Sequence, residues 1–193
     1  MQSLNILVTG GAGFIGSHLV DALVERGHRV RILDSLADEV HHGRVPEYLN
    51  PDAEFIHGNV CDAETVRRAL DGVDVVYHLA AELGLGRSMY QIVRFVQGND
   101  LGTAVLLEEM IKRPAQYKKL IVASSMSLYG EGPVRCAGCN IVAEPTLRAE
   151  DQLLDHRWEF YCAVCGNMMA AMPTPEDKRL FPTSVYAVGK QVQ

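Results

Sequence analysis

Leu4-Asn5-Ile6-Leu7-Val8-Thr9-Gly10-Gly11-Ala12-Gly13-Phe14-Ile15-Gly16 carries a short apolar run into a cluster of glycines and out again into a helical pattern. Glycines between a strand and a helix permit a tight turn. They also let backbone N–H groups approach a pyrophosphate lying on the helix N-terminus. Beyond the loop, Ile15, Leu19 and Leu23 recur at helical spacing against polar His18, Asp21, Glu25 and Arg26, and Gly27 ends the helix. Residues 30–33 read as the next strand. Asp34 closes it, eighteen residues past Gly16, where a carboxylate can accept both ribose hydroxyls of a dinucleotide and repel a 2'-phosphate. NAD is therefore expected over NADP.

Further along, the pattern predicts strands over 54–57, 73–79 and 120–123. Helices are predicted over 63–70 and from about 89 to 112, the latter interrupted at Gly98 and stopped before Pro114. Strand and helix alternating in this way imply an α/β fold, a doubly wound parallel sheet covered on both faces. The chain has 193 residues, 48% of them apolar and 22% charged, enough for one substantial core, so one domain is expected. A net charge of -6 with no basic run argues against nucleic acid as a partner. With no leader-like start and no apolar stretch of bilayer length, no membrane is expected either. The expected location is cytoplasmic, with the five cysteines reduced.

Near the end stand Tyr186 and Lys190, one helical turn apart. A tyrosine with a reference pKa of about 10 is a poor base, but a cation on the same helix face stabilises the phenolate. An amphipathic helix that happens to carry both residues is the plainer reading of the pair alone. The glycine loop upstream favours proton transfer.

These motifs together resemble the NAD-dependent nucleotide-sugar epimerase/dehydratase family, the extended short-chain dehydrogenases. The resemblance is carried by Thr9-Gly10-x-x-Gly13-x-x-Gly16, Asp34, His78-Leu79-Ala80-Ala81 and Asn99-Asp100-Leu101-Gly102-Thr103, then by Ser124-Ser125-x-x-Leu128-Tyr129-Gly130 and Tyr186-x-x-x-Lys190, in order along the chain. It implies a Rossmann-like fold binding NAD. Gly10, Gly13, Phe14, Ile15 and Gly16 would then hold the pyrophosphate and Asp34 the adenosine ribose. Leu79, Ala80, Ala81 and Asn99 would line the path to the nicotinamide. Where the family often places an acidic residue before Ile or Val at the adenine, this chain has Asn59-Val60. In the family's pattern Tyr186 takes a hydroxyl proton, Ser125 hydrogen-bonds the reacting oxygen, and Lys190 also holds the nicotinamide ribose. Dehydratases of the family carry Asp-Glu after the paired serines; here Met126 and Ser127 stand there, so a nucleotide-sugar 4-epimerase is expected.

Cys136-x-x-Cys139 and Cys162-x-x-Cys165 interrupt the pattern with two knuckles of the spacing that supplies four thiolates to structural zinc. A site that has lost its metal and a pair of redox-active dithiols are the alternatives. A zinc-ribbon-like insertion over 131–172 is expected within the NAD-binding domain 1–193. It is acidic, with Glu144, Glu150, Asp151, Asp155 and Glu159, which suits a lid or subunit contact better than nucleic acid. Trp158, Phe160 and Tyr161 are expected to supply its small core.

Elsewhere the plain readings are a small residue at Cys61, solvated histidines at His41 and His42, a core histidine at His78 and a loop carboxylate at Glu82. The chain stops three residues past Lys190. It is therefore expected to be truncated before the last strands and the C-terminal substrate lobe of the family. A nucleotide-sugar substrate and a homodimer are the partners to test for. Besides the epimerase, a catalytically silent NAD-binding module and another dehydrogenase or reductase of the family remain open readings.

Overall fold

A computed structural model describes residues 3–193. Its residues divide into two compact units, residues 3–124 with 184–193, and residues 125–183. In the first unit, β1 (Asn5–Thr9) is buried along all but its first residue, as a central strand covered on both faces must be. β2 (Arg29–Asp34), β3 (Glu54–His57), β4 (Val75–His78) and β5 (Lys119–Val122) complete a sheet of order β3-β2-β1-β4-β5 in which every pair is parallel. Both neighbours of β1 therefore lie beside it with the same polarity. The strand order reverses at β1, which opens a crevice at the carboxyl ends of the strands.

Alternate residues of β1 feed two cores. Ile6 and Val8 pack with Val20 and Leu23 of α1 (Phe14–Glu25) and with Ile32 and Val75. Leu7 points the other way, into a cluster with Leu33, Val76, Val66 of α3 (Ala63–Ala69) and Leu106 of α6 (Gly102–Ile111). α4 (Leu85–Ser88) is a separate single turn. The helix expected over 89–112 follows it in three pieces: α5 (Ile92–Phe95), a single turn, then a π-helical turn, Val96–Leu101, that joins it to α6. The extra residue in that wider turn sits at the predicted interruption and buries Asn99. α2 (Asp38–His41), none of it buried, had no signal in the periodicity.

The second unit contains the expected 131–172 segment. β6 (Val134–Cys136), β7 (Val142–Ala143) and β8 (Met169–Ala171) form an antiparallel sheet of order β7-β6-β8, and α7 (Glu150–Leu154) is its helix. Its core is Val134, Cys136, Cys162 and Met169, with Phe160 and Ala143 packed against them. Only Phe160 of the three aromatic residues serves as expected: Trp158 is 56% exposed and Tyr161 49%. A core this small has room for one ring, and the Arg148 guanidinium covers that ring at 4.2 Å. The chain then returns to the first unit as α8 (Val185–Val192), capped by the Ser184 hydroxyl, which accepts from the Ala187 N–H. Among the described residues no helix is long and apolar enough to cross a membrane.

Candidate functional site

The glycine loop is built for close approach. Gly10 sits at φ +70°, and a Cβ there would lie 2.7 Å from the Ala80 nitrogen; at Gly16 a Cβ would lie 2.2 Å from the Gly10 carbonyl oxygen. With no side chain between them, β1 turns directly into α1, whose first N–H groups have no side-chain cap. The Asp34 carboxylate fastens the turn, Oδ2 accepting from the Ala12 N–H at 3.0 Å and Oδ1 from the Leu36 N–H at 2.9 Å.

A cavity of about 480 Å³ lies over this loop, within the size range of small-molecule sites. Gly10, Gly13, Phe14, Ile15 and Gly16 line it from below, and Asp34 from the end of β2. Asn59 and Val60 line it from the loop after β3, and Leu79, Ala80 and Ala81 from the loop after β4. Tyr186 and Lys190 of α8 reach the same space.

Lys190 is 5% exposed, and its Nζ donates to the Ala123 carbonyl at 2.8 Å and to Gln193 Oε1 at 2.6 Å. Burial pushes its ammonium down to about 8, so it stays mostly charged at neutral pH. Its Nζ stands 6.0 Å from the centre of the Tyr186 ring, which meets Phe95 edge to face.

Asn99 is buried in the π-helical turn. Its side chain clasps the backbone of Glu82, accepting from the N–H at 2.7 Å and donating to the carbonyl at 3.3 Å, and so props the loop after β4 from behind. Ser125 is the first residue of the second unit. There its Oγ accepts from the Ser127 N–H at 3.2 Å and caps the turn Met126–Tyr129. Four charged residues of the cavity wall escaped functional reading or were read as loop: Glu39, Glu82, Arg87 and Arg94. Arg94, and then Arg87, hold the Glu39 carboxyl below the usual range. His41 also lines the wall, whereas His42 is exposed.

In the second unit the two knuckles are near copies. Each has a residue of positive φ directly after its second cysteine, Asn140 at 57° and Gly166 at 72°. Cys136 Sγ takes the backbone N–H of Cys139, and Cys162 Sγ takes those of Cys165 and Val164, which lowers both thiols, Cys162 to about 6. Cys136 and Cys165 sulfurs are 3.3 Å apart, Cys139 and Cys162 3.4 Å, Cys139 and Cys165 3.8 Å, and all four lie within 4.8 Å of one another. Four sulfurs about 2.3 Å from a common centre stand roughly 3.8 Å apart, so the set has the size of a tetrahedral thiolate site.

The model of the NAD dependent epimerase/dehydratase family matches residues 6–149. The chain belongs to that family. As an epimerase/dehydratase family member it is 34% identical over 192 residues to the dTDP-L-rhamnose 4-epimerase of Burkholderia thailandensis, covering 97% of this chain and 51% of that protein. Its structure resembles the UDP-glucose 4-epimerase of Thermotoga maritima with UDP-glucose (TM-score 0.70, 32% identity, 97% of this chain and 48% of that one). The Thermus thermophilus UDP-glucose 4-epimerase in complex with NAD is similar (TM-score 0.67, 30% identity, 97% and 47%). The chain thus spans about half the length of these relatives.

Proposed function

We propose that this chain is the NAD-binding part of a nucleotide-sugar 4-epimerase, with 131–172 inserted in the domain 1–193. The observation that carries the reading is that the glycine loop, Asp34, Tyr186 and Lys190 all face one cavity. The named activities of the relatives support the same class, a nucleoside diphosphate hexose as substrate. NAD bound there would accept a hydride from the hydroxyl-bearing carbon and give it back.

The chain's own residues do the rest. Free N–H groups of the loop and the positive end of α1, which has no side-chain cap, would hold the diphosphate. Each Asp34 oxygen keeps accepting capacity for a ribose hydroxyl beyond the one N–H it already holds. Asn59 and Val60 would flank the adenine, and Leu79, Ala80 and Ala81 would form the wall toward the nicotinamide. Tyr186 takes the proton of the sugar hydroxyl and returns it, with the Lys190 charge stabilising the phenolate. By the family's pattern Ser125 hydrogen-bonds the reacting oxygen. Met126 and Ser127 offer neither acid nor base of the kind that expels water, so reversible oxidation is the chemistry left.

For the second unit we infer structural zinc on Cys136, Cys139, Cys162 and Cys165; four protein ligands leave no place for an activated water. A homodimer is supported by exposed apolar residues, Leu107 and Ile111 of α6 and Val188 and Val192 of α8. The setting we propose is cytoplasmic.

The test is turnover of a UDP- or dTDP-hexose by the intact natural protein, where Tyr186→Phe should lower kcat by at least about 100-fold. Unchanged kcat would remove Tyr186 from the chemistry.

A further inference from the structure

The short helix after β2 is fastened across the cavity by ions, whereas the packing of its segment is at Leu36, buried just ahead of it. α2 has no buried residue and ends on His42 at φ 51°. From it, Glu39 Oε2 accepts from Arg87 Nη1 at 2.6 Å and Glu39 Oε1 from Arg94 Nη1 at 2.5 Å. Arg94 Nε in turn stands 3.0 Å from Glu82 Oε2, and the Glu82 backbone is the one clasped by Asn99. All four charged residues line the cavity. β2 and β4 are the two sheet neighbours of β1. The loops that follow them therefore stand on either side of the glycine loop, and the chain Glu39–Arg94–Glu82 joins the two walls of which that loop is the floor.

We propose that this ionic bridge is a latch over the dinucleotide site and that Glu39 sets the rate at which the dinucleotide leaves. The inference rests on the NAD reading of the cavity. Apart from Lys190 at the far end, the lining cations are Arg87 and Arg94, and Glu39 engages both. While the bridge holds, the wall after β2 cannot swing away from the wall after β4. When it parts, α2 itself has only unburied side chains, and the chain stays packed at Leu36 ahead of it. Half-exposed ion pairs are individually weak and screened by salt, which suits a closure that must open in every exchange of ligand. Glu39 is thus a positioning residue: it touches the arginines and the wall, and no reacting atom.

The experiment is stopped-flow displacement of NADH by excess NAD from the intact natural protein, followed by nicotinamide fluorescence at low and high salt. The wild type should release NADH faster as salt rises. Glu39→Gln should release it at least about threefold faster at low salt, with the salt dependence flattened. Arg94→Gln should do the same. Glu54→Gln, which breaks the Arg31 ion pair on β2 and β3 outside the cavity, should leave release unchanged. Equilibrium unfolding should show Glu39→Gln as stable as wild type, which separates a latch from a structural role. Release from Glu39→Gln at the wild-type rate overturns the latch. Slower release overturns it too, and would mean that the freed arginines hold the diphosphate. If NADH binds neither protein, the cofactor reading falls and the latch with it; if NADH binds and release is unaltered, the latch alone falls.

Discussion

His78 shows how far one side chain can be understood from its partners. Its Nδ1 lies 2.7 Å from Thr9 Oγ1 and its Nε2 2.9 Å from Thr103 Oγ1. The Thr103 hydroxyl donates to the Asn99 carbonyl and Thr9 Oγ1 accepts from the Ala80 N–H. The remaining roles fit a neutral ring protonated on Nε2, with Thr9 donating to Nδ1. Burial, and then the Lys190 charge, push its pKa down to about 4. Because the folded value is depressed, the unfolded chain takes up this proton first. Stability present at neutral pH is then lost as pH falls from about 6.5 to about 4, by about 3 kcal/mol. In urea titrations between pH 7 and 4, His78→Gln should flatten that part of the curve. An unchanged slope would assign the loss to other groups. At the end of β2, Asp34→Ala should narrow the preference for NAD over NADP by about tenfold, since a charged acceptor and a repulsion are removed together. Calorimetry finding NADP bound as tightly as NAD by the parent protein would contradict the assignment.

Among the elements, those with local causes were legible. β1, the loop and α1 follow from an apolar run, glycines and a helical stripe within residues 4–27, and the two knuckles from the spacing of four cysteines. In the helix over 89–112 the interruption at Gly98 was legible but not its form, a π turn that buries Asn99 against Glu82, a partner seventeen positions away. The latch was invisible for the same reason: Glu39 meets Arg87 and Arg94 across 48 and 55 positions, and no period in the sequence encodes such a meeting. Trp158 and Tyr161 were misplaced because their aromatic character does not say that a four-residue core is already filled by Phe160. For the knuckles the sulfur geometry makes a firm prediction. Metal analysis should find about one zinc per chain, and Cys136→Ser should lower it and loosen the β7-β6-β8 sheet while NAD affinity is kept. Protein purified without chelator that holds no metal, with the cysteines paired as disulfides, would contradict this.

At the scale of the whole molecule, one parallel sheet brings the ends of β1, β2, β3 and β4 and residues of α8 to a single cavity, which residues from Gly10 to Lys190 line. That convergence is what the glycine loop led one to expect, with Tyr186 and Lys190 in the same cavity as Asp34. In the proposed reaction a hydride leaves C4 of a nucleotide sugar and returns to the same carbon from the other face without meeting solvent. The most direct test supplies the intact natural protein and NAD with a nucleoside diphosphate hexose carrying deuterium at C4, and follows the products by NMR and mass spectrometry. The account predicts the C4-inverted sugar with its deuterium retained at C4 and no net accumulation of NADH. Deuterium lost to water from the inverted sugar, or a 4-keto-6-deoxy sugar as the main product, would contradict it.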